Sequence, residues 1–124
     1  MREQSLGEGE ALSSGAVEVL LVLLEGADPV RAALRAQIPH ARVVKRCGCG
    51  CATVDLAVDR DAVVAAPPHE SPVVSGTAHT VPNAAGVLVF SDGGYLSGLE
   101  IYSVADEPIS EWPEARLLSV DAKG

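Results

Sequence analysis

Two apolar runs joined by a glycine-rich turn constrain this chain more than any other feature of its sequence. Gly86-Val87-Leu88-Val89-Phe90 and Tyr95 to Tyr102 flank Ser91-Asp92-Gly93-Gly94. The Asp-Gly-Gly step supplies the positive φ angles that a tight hairpin demands. The spacing predicts a pair of central antiparallel strands.

The preceding residues carry a different period. From Ser13 and Ser14, which can cap free amides, Val17, Leu20, Leu21 and Leu24 recur at helical spacing up to Gly26, predicting a first helix with that stripe facing a core. Asp28-Pro29 is a second helix start, since Asp accepts free amides and Pro at the first helical position gives up no hydrogen bond. This helix runs to about Gln37 and stops before Pro39, with Val30, Leu34 and Ile38 on its apolar side.

Beyond it, residues 42–45 and 52–59 read as strands, and Val54, Leu56 and Val58 share one face. Pro67, Pro68 and Pro72 mark a loop. A strand is expected around Val73–Val81, and a short last one at Leu117–Val120. The fold class is therefore α+β: two N-terminal helices packed on a mainly antiparallel sheet of about four to six strands. Residues 1–12, rich in Gly and Glu, are expected to be loosely ordered, and 13–124 to form one α+β domain.

Composition narrows the function classes. A net charge of −8 gives non-specific nucleic-acid binding no electrostatic support, and only four aromatic residues leave little for base stacking. The longest apolar run, Val19 to Leu24, is far too short to span a bilayer, and the acidic start, with Glu3, Glu8 and Glu10 against Arg2, does not resemble a secretory signal. A cytoplasmic protein without nucleic-acid or membrane partners is the expectation.

The most unusual chemistry is Cys47-Gly48-Cys49-Gly50-Cys51. In one regular strand the three thiols would share a face but stand roughly 7 Å apart, too far for tetrahedral zinc, whose sulfurs lie within about 4 Å of one another. Gly48 and Gly50 permit a turn that brings sulfurs together. Cys47, Cys49 and Cys51 are accordingly candidate ligands for zinc, with a fourth ligand to be drawn from His40, His69, His79 or Asp55. Residues 29–54 contain Arg31, Arg35, Arg42, Lys45 and Arg46 and no acid, a setting that favours thiolate for metal binding or for a redox sensor. The competing reading is that small Cys and Gly residues simply fit a tight hairpin.

No other set of residues points to catalysis. Ser75, His79 and Asp92 nominally supply a nucleophile, base and acid, but no Gly-x-Ser-x-Gly elbow surrounds the serine. Glu100, inside an apolar strand, is either a partner for Arg42 or Arg46 or a residue of the sheet's open face. Trp112 is expected to fold back onto the core. The leading reading is a non-enzymatic domain acting through protein contacts, with a protein partner or as a homodimer; thiolate metal binding and thiol redox sensing are the alternatives.

Gly94-Tyr95-Leu96-Ser97-Gly98-Leu99-Glu100-Ile101-Tyr102, with Asp106-Glu107-Pro108-Ile109 and Trp112-Pro113, resembles the ending of a family of small bacterial proteins, a domain of unknown function. The segment Cys49-Gly50-Cys51-Ala52-Thr53-Val54-Asp55-Leu56 adds to the likeness. The ending is also similar to small proteins proposed as immunity partners of bacterial toxins. The first resemblance carries over no catalytic residues, since none is established for that family, and the second implies protein binding.

Overall fold

The computed structural model describes residues 3–48, 51–79, 84–103 and 109–121. Their strands are β1 (Glu3–Ala11), β2 (Ala41–Cys47), β3 (Val54–Val58), β4 (Val74–His79), β5 (Ala84–Asp92), β6 (Tyr95–Ser103) and β7 (Leu118–Val120). They form one antiparallel sheet in the order β1-β2-β3-β6-β5-β4-β7. The helices α1 (Ser14–Leu23) and α2 (Pro29–Gln37) both lie between β1 and β2 in the chain.

The α+β class holds, with seven strands instead of four to six. The addition is β1, which has no apolar alternation of its own. Its pairing comes from backbone hydrogen bonding to β2, from Glu3 opposite Cys47 to Ala11 opposite Arg42, with a register shift between Ser5 and Glu10. A strand without alternating apolar residues leaves no signal in hydrophobic periodicity.

The central hairpin forms where its turn chemistry places it. Gly93 and Gly94 take φ of +61° and +88°, and β5 and β6 pair from Asp92 opposite Tyr95 outward to Ala85 opposite Ser103. Helix caps follow the sequence equally closely. The Ser13 hydroxyl accepts from the Ala16 amide at 3.2 Å, and the Asp28 carboxylate from the Arg31 amide at 3.0 Å. Arg35 donates to the carbonyls of Leu24 and Gly26 at 2.7 and 3.0 Å, placing a cation where the dipole of α1 is negative.

Both helices cover one face of the sheet. Val19, Leu20, Leu23, Leu24 and Leu34 are fully buried there against Val74, Ala78, Val87, Val89, Leu99 and Ile101. Each buried leucine contributes about 2–3 kcal/mol by area. The buried side of α1 is thus Ala16, Val19, Leu20, Leu23 and Leu24, rotated from the expected stripe. Val17 is only half-buried and Leu21 is 44% exposed. An almost wholly apolar helix has no polar face to fix its rotation, so its sequence fits several stripes.

One polar side chain is fully buried with this core. The Nε2 of Gln37, on the last turn of α2, donates to the Val64 and Gly94 carbonyls at 3.1 and 2.9 Å, and its Oε1 accepts from the Leu96 amide at 2.9 Å. It ties α2 to the β5–β6 turn and to the loop before β4.

Candidate functional site

Two regions carry chemistry or contact potential. The first is a groove of about 690 Å³ at one end of the sheet, between the first turn of α1, the β2–β3 connection and residues 110–112. Cys47 and Cys51 line it together with Arg46, Thr53, Glu111 and Trp112, and both thiol-bearing residues are half-buried.

The local sequence explains the geometry. β2 ends at Cys47, Gly48 lies in a turn, and β3 begins at Val54 and runs back antiparallel. The chain therefore reverses between Cys47 and Val54 and does not continue as one strand. The reversal is pinned by the Cys47 amide on the Thr53 carbonyl at 3.2 Å and the Ala52 amide on the Ile109 carbonyl at 2.7 Å. The Thr53 hydroxyl bridges to Ile101, accepting from its amide at 3.0 Å and donating to its carbonyl at 3.2 Å. Trp112 is half-buried and packs on the core and against Gly15.

Of the three candidate metal ligands, the structure brings Cys47 and Cys51 to one groove, and Cys49 lies outside the described residues. Among the described residues no group of three or more His, Cys, Asp or Glu side chains is placed to hold a metal ion. His40 immediately precedes β2, whereas Cys47 ends it, which separates them by about 23 Å of strand. His69 is engaged elsewhere, its two ring nitrogens at 2.6 Å from the Pro67 carbonyl and the Ser91 hydroxyl beside the β5–β6 turn. Asp55 stands in register opposite Lys45 of β2 and does not line the groove.

The nominal triad does not assemble. His79 pairs with Ala84 at one end of β5 while Asp92 ends the same strand, about 27 Å away. The Ser75 hydroxyl instead donates to Asp121 at 3.0 Å, as does that of Thr77 at 3.0 Å. Arg46 forms its ion pair with Glu10 and not with Glu100.

The second region is the sheet face turned away from the helices. Strand alternation and register place Arg42, Lys45, Asp55, Ala57, Gly98, Glu100, Tyr102, Gly86, Leu88, Phe90, Ser75 and Thr77 on it. Among the described residues no helix covers this face. Leu88 and Phe90 are half-buried and Tyr102 is 50% exposed. Tyr102 lies flat over Gly86, where a Cβ would come within 2.0 Å of its ring. A hollow of about 250 Å³ opens over Gly98, bounded by Phe90, Asp55 and Glu100. Alternation alone could have identified this patch: Leu88, Phe90 and Tyr102 fall on the same side as Glu100.

No helix among the described residues is long and apolar enough to cross a membrane. Comparison with known proteins brings no function to either region: no protein-family model matches the chain, and neither a curated protein nor a solved structure does.

Proposed function

We propose that this chain is a non-enzymatic binding domain that acts through protein contacts made by the helix-free face of its sheet. The observation that carries the reading is the cluster of Leu88, Phe90 and Tyr102 on that face, beside Glu100 of the central strand, with charged and hydroxyl side chains on the strands to either side. Aromatic and aliphatic side chains grouped on an open face among polar ones are typical of protein interfaces. The partner-binding role that the C-terminal resemblance implies points the same way.

A photo-crosslinking amino acid placed at Tyr102 in the cell tests this, with the same group at Val64, 79% exposed on the loop before β4, as control. Protein adducts from position 102 and none from position 64 support the reading. Adducts from neither position, or equally from both, remove it.

The shared groove of Cys47 and Cys51 favours a second reading, a thiolate site for zinc. Two thiols supply half of a tetrahedral set. Metal content by mass spectrometry on tag-free protein, with thiol titration before and after chelator, decides it. Near-stoichiometric zinc with thiols released only by chelator supports the site. Metal-free protein with freely titrating thiols removes it, and oxidation of those thiols under mild peroxide would then favour the redox-sensing alternative.

A further inference from the structure

We infer that Ser91 is a reactive serine, a site of covalent acylation by uncharged activated esters and thioesters, with His69 as its general base. The inference goes beyond the protein-contact reading and stands independently of it, because it concerns the β5–β6 turn and the loop before β4.

Hydrogen-bond chemistry fixes where the protons lie. The Pro67 carbonyl can only accept, so the His69 ring carries its proton on Nδ1, which donates to that oxygen at 2.6 Å. In the neutral ring Nε2 is then left with a lone pair, and the group 2.6 Å from it is the Ser91 hydroxyl. The serine therefore donates to the histidine. A nucleophile and its base need this direction of bonding, a separation of about 2.6–3.2 Å and a third group that orients the base, and all three are met. In a Ser-His-Asp triad the acid holds the imidazole in this same tautomer and also stabilises the imidazolium that forms. The Pro67 carbonyl does the first and, being uncharged, less of the second.

The loop that aims the ring is tied down on both sides of His69. The Ala66 amide donates to the Gly94 carbonyl and the Val73 amide to the Val89 carbonyl, each at 2.8 Å. Between these anchors the Ser71 hydroxyl accepts from the amide of Ser91 itself at 3.1 Å. Pro67 and Pro68 have fixed φ, which narrows the conformations open to the segment. Ser91 is thus held through its backbone by Ser71 and through its side chain by His69, and a pair held in place beforehand has less ordering entropy to lose on the way to reaction.

Both partners are half-buried, whereas Pro67, Pro68, Glu70 and Ser71 are exposed, so a small acyl donor meets the hydroxyl from solvent. Charge selects among donors. Glu70 follows His69 and Asp92 follows Ser91, both exposed, while Arg60 is engaged 4.5 Å over the ring of Tyr95, which stands opposite Asp92. With a net charge of −8 on the whole chain, anionic donors are repelled and uncharged ones are not. In the step itself Ser91 Oγ attacks the acyl carbon and its proton passes to His69 Nε2. The new O–C bond forms as the bond to the ester oxygen or thioester sulfur breaks, and the electron pair leaves with that atom. The imidazolium then returns its proton to the leaving group.

Acetylation by p-nitrophenyl acetate, followed by peptide mapping of the full chain by mass spectrometry, tests the assignment. General-base assistance contributes about a hundredfold or more, so Ser91 is expected to gain an acetyl group roughly a hundredfold faster than the exposed Ser14 and Ser110. His69→Gln is expected to lower the Ser91 rate to that of these two serines without altering theirs, in protein that a thermal melt shows to be folded. Ser91→Ala is expected to remove the fast-labelled position altogether. Should His69→Gln not fold, His69→Asn takes its place with the same expectation. Wild-type Ser91 labelled no faster than Ser14 and Ser110 overturns the proposal whatever the variants do. A folded His69 variant in which Ser91 reacts at the parental rate overturns it as well.

Discussion

Replacing Gln37 with leucine keeps nearly the same volume but removes every polar atom from a fully buried position. The Leu96 amide loses its 2.9 Å acceptor inside the core, and the Val64 carbonyl loses its 3.1 Å donor. The Gly94 carbonyl fares better, since it still accepts from the Ala66 amide at 2.8 Å. One orphaned buried amide costs about 1–3 kcal/mol and each further lost bond about 1 kcal/mol, so the expected destabilisation is about 3–4 kcal/mol. With a urea slope of about 1.5–2 kcal/mol/M the unfolding midpoint should fall by roughly 2 M. A Gln37→Leu midpoint within about 0.3 M of the parent would refute the reasoning that this side chain clamps α2 to the β5–β6 turn. Gln37→Glu adds a pH arm. Its carboxylate accepts from Leu96 but faces the Val64 and Gly94 carbonyls, so burial and those dipoles raise its folded pKa above the unfolded value of about 4.3. The folded state then binds its proton at higher pH than the unfolded state. This residue's relative stabilisation is present at low pH and is lost as pH rises through the folded value. The stability gap between Gln37→Glu and the parent should accordingly narrow on acidification, which paired urea titrations at neutral and mildly acidic pH would read.

Three further outcomes are expected. Arg35→Ala removes two hydrogen bonds from the C-terminal end of α1 and should cost about 1 kcal/mol, lowering Tm by roughly 3–5 °C in a thermal melt. Gly86→Ala drives a methyl group into the Tyr102 ring; it should cost about 1–3 kcal/mol alone but much less in a Tyr102→Ala background, a coupling that a double-mutant cycle measures. Asp121→Ala releases the Ser75 and Thr77 hydroxyls, and amide exchange across Leu118–Val120 should quicken while the β5–β6 hairpin is unchanged.

Legibility in the sequence followed the strength of local chemistry. Asp28-Pro29 and Pro39 bracket α2, and Asp92-Gly93-Gly94 marks the central hairpin, because each uses residues that few other conformations favour. The rotation of α1 was not readable, since Leu21 and Leu23 are equally apolar and only contact with the sheet distinguishes them. β1 was missed because a backbone ladder requires no side-chain pattern. Gln37 was missed because a polar residue near a helix end ordinarily faces water. At the cysteines, the glycines were compatible with either a strand or a turn, and pairing of β2 with β3 selects the turn. That pairing brings Cys47 and Cys51 to the same groove, while the distance from His40 and the engagement of His69 could only come from three dimensions.

The strand order has a consequence for how the sheet protects itself from uncontrolled polymerisation. Its two outermost strands are β1 and β7, the first and last in chain order among the described residues, and they shield β2 and β4. Both are poor templates for a foreign strand. β7 spans only Leu118–Val120, and β1 is interrupted by the register shift between Ser5 and Glu10, devices that discourage edge-to-edge growth. Trimming either segment would uncover an interior ladder with open amides and carbonyls, turning a small truncation into an aggregation hazard.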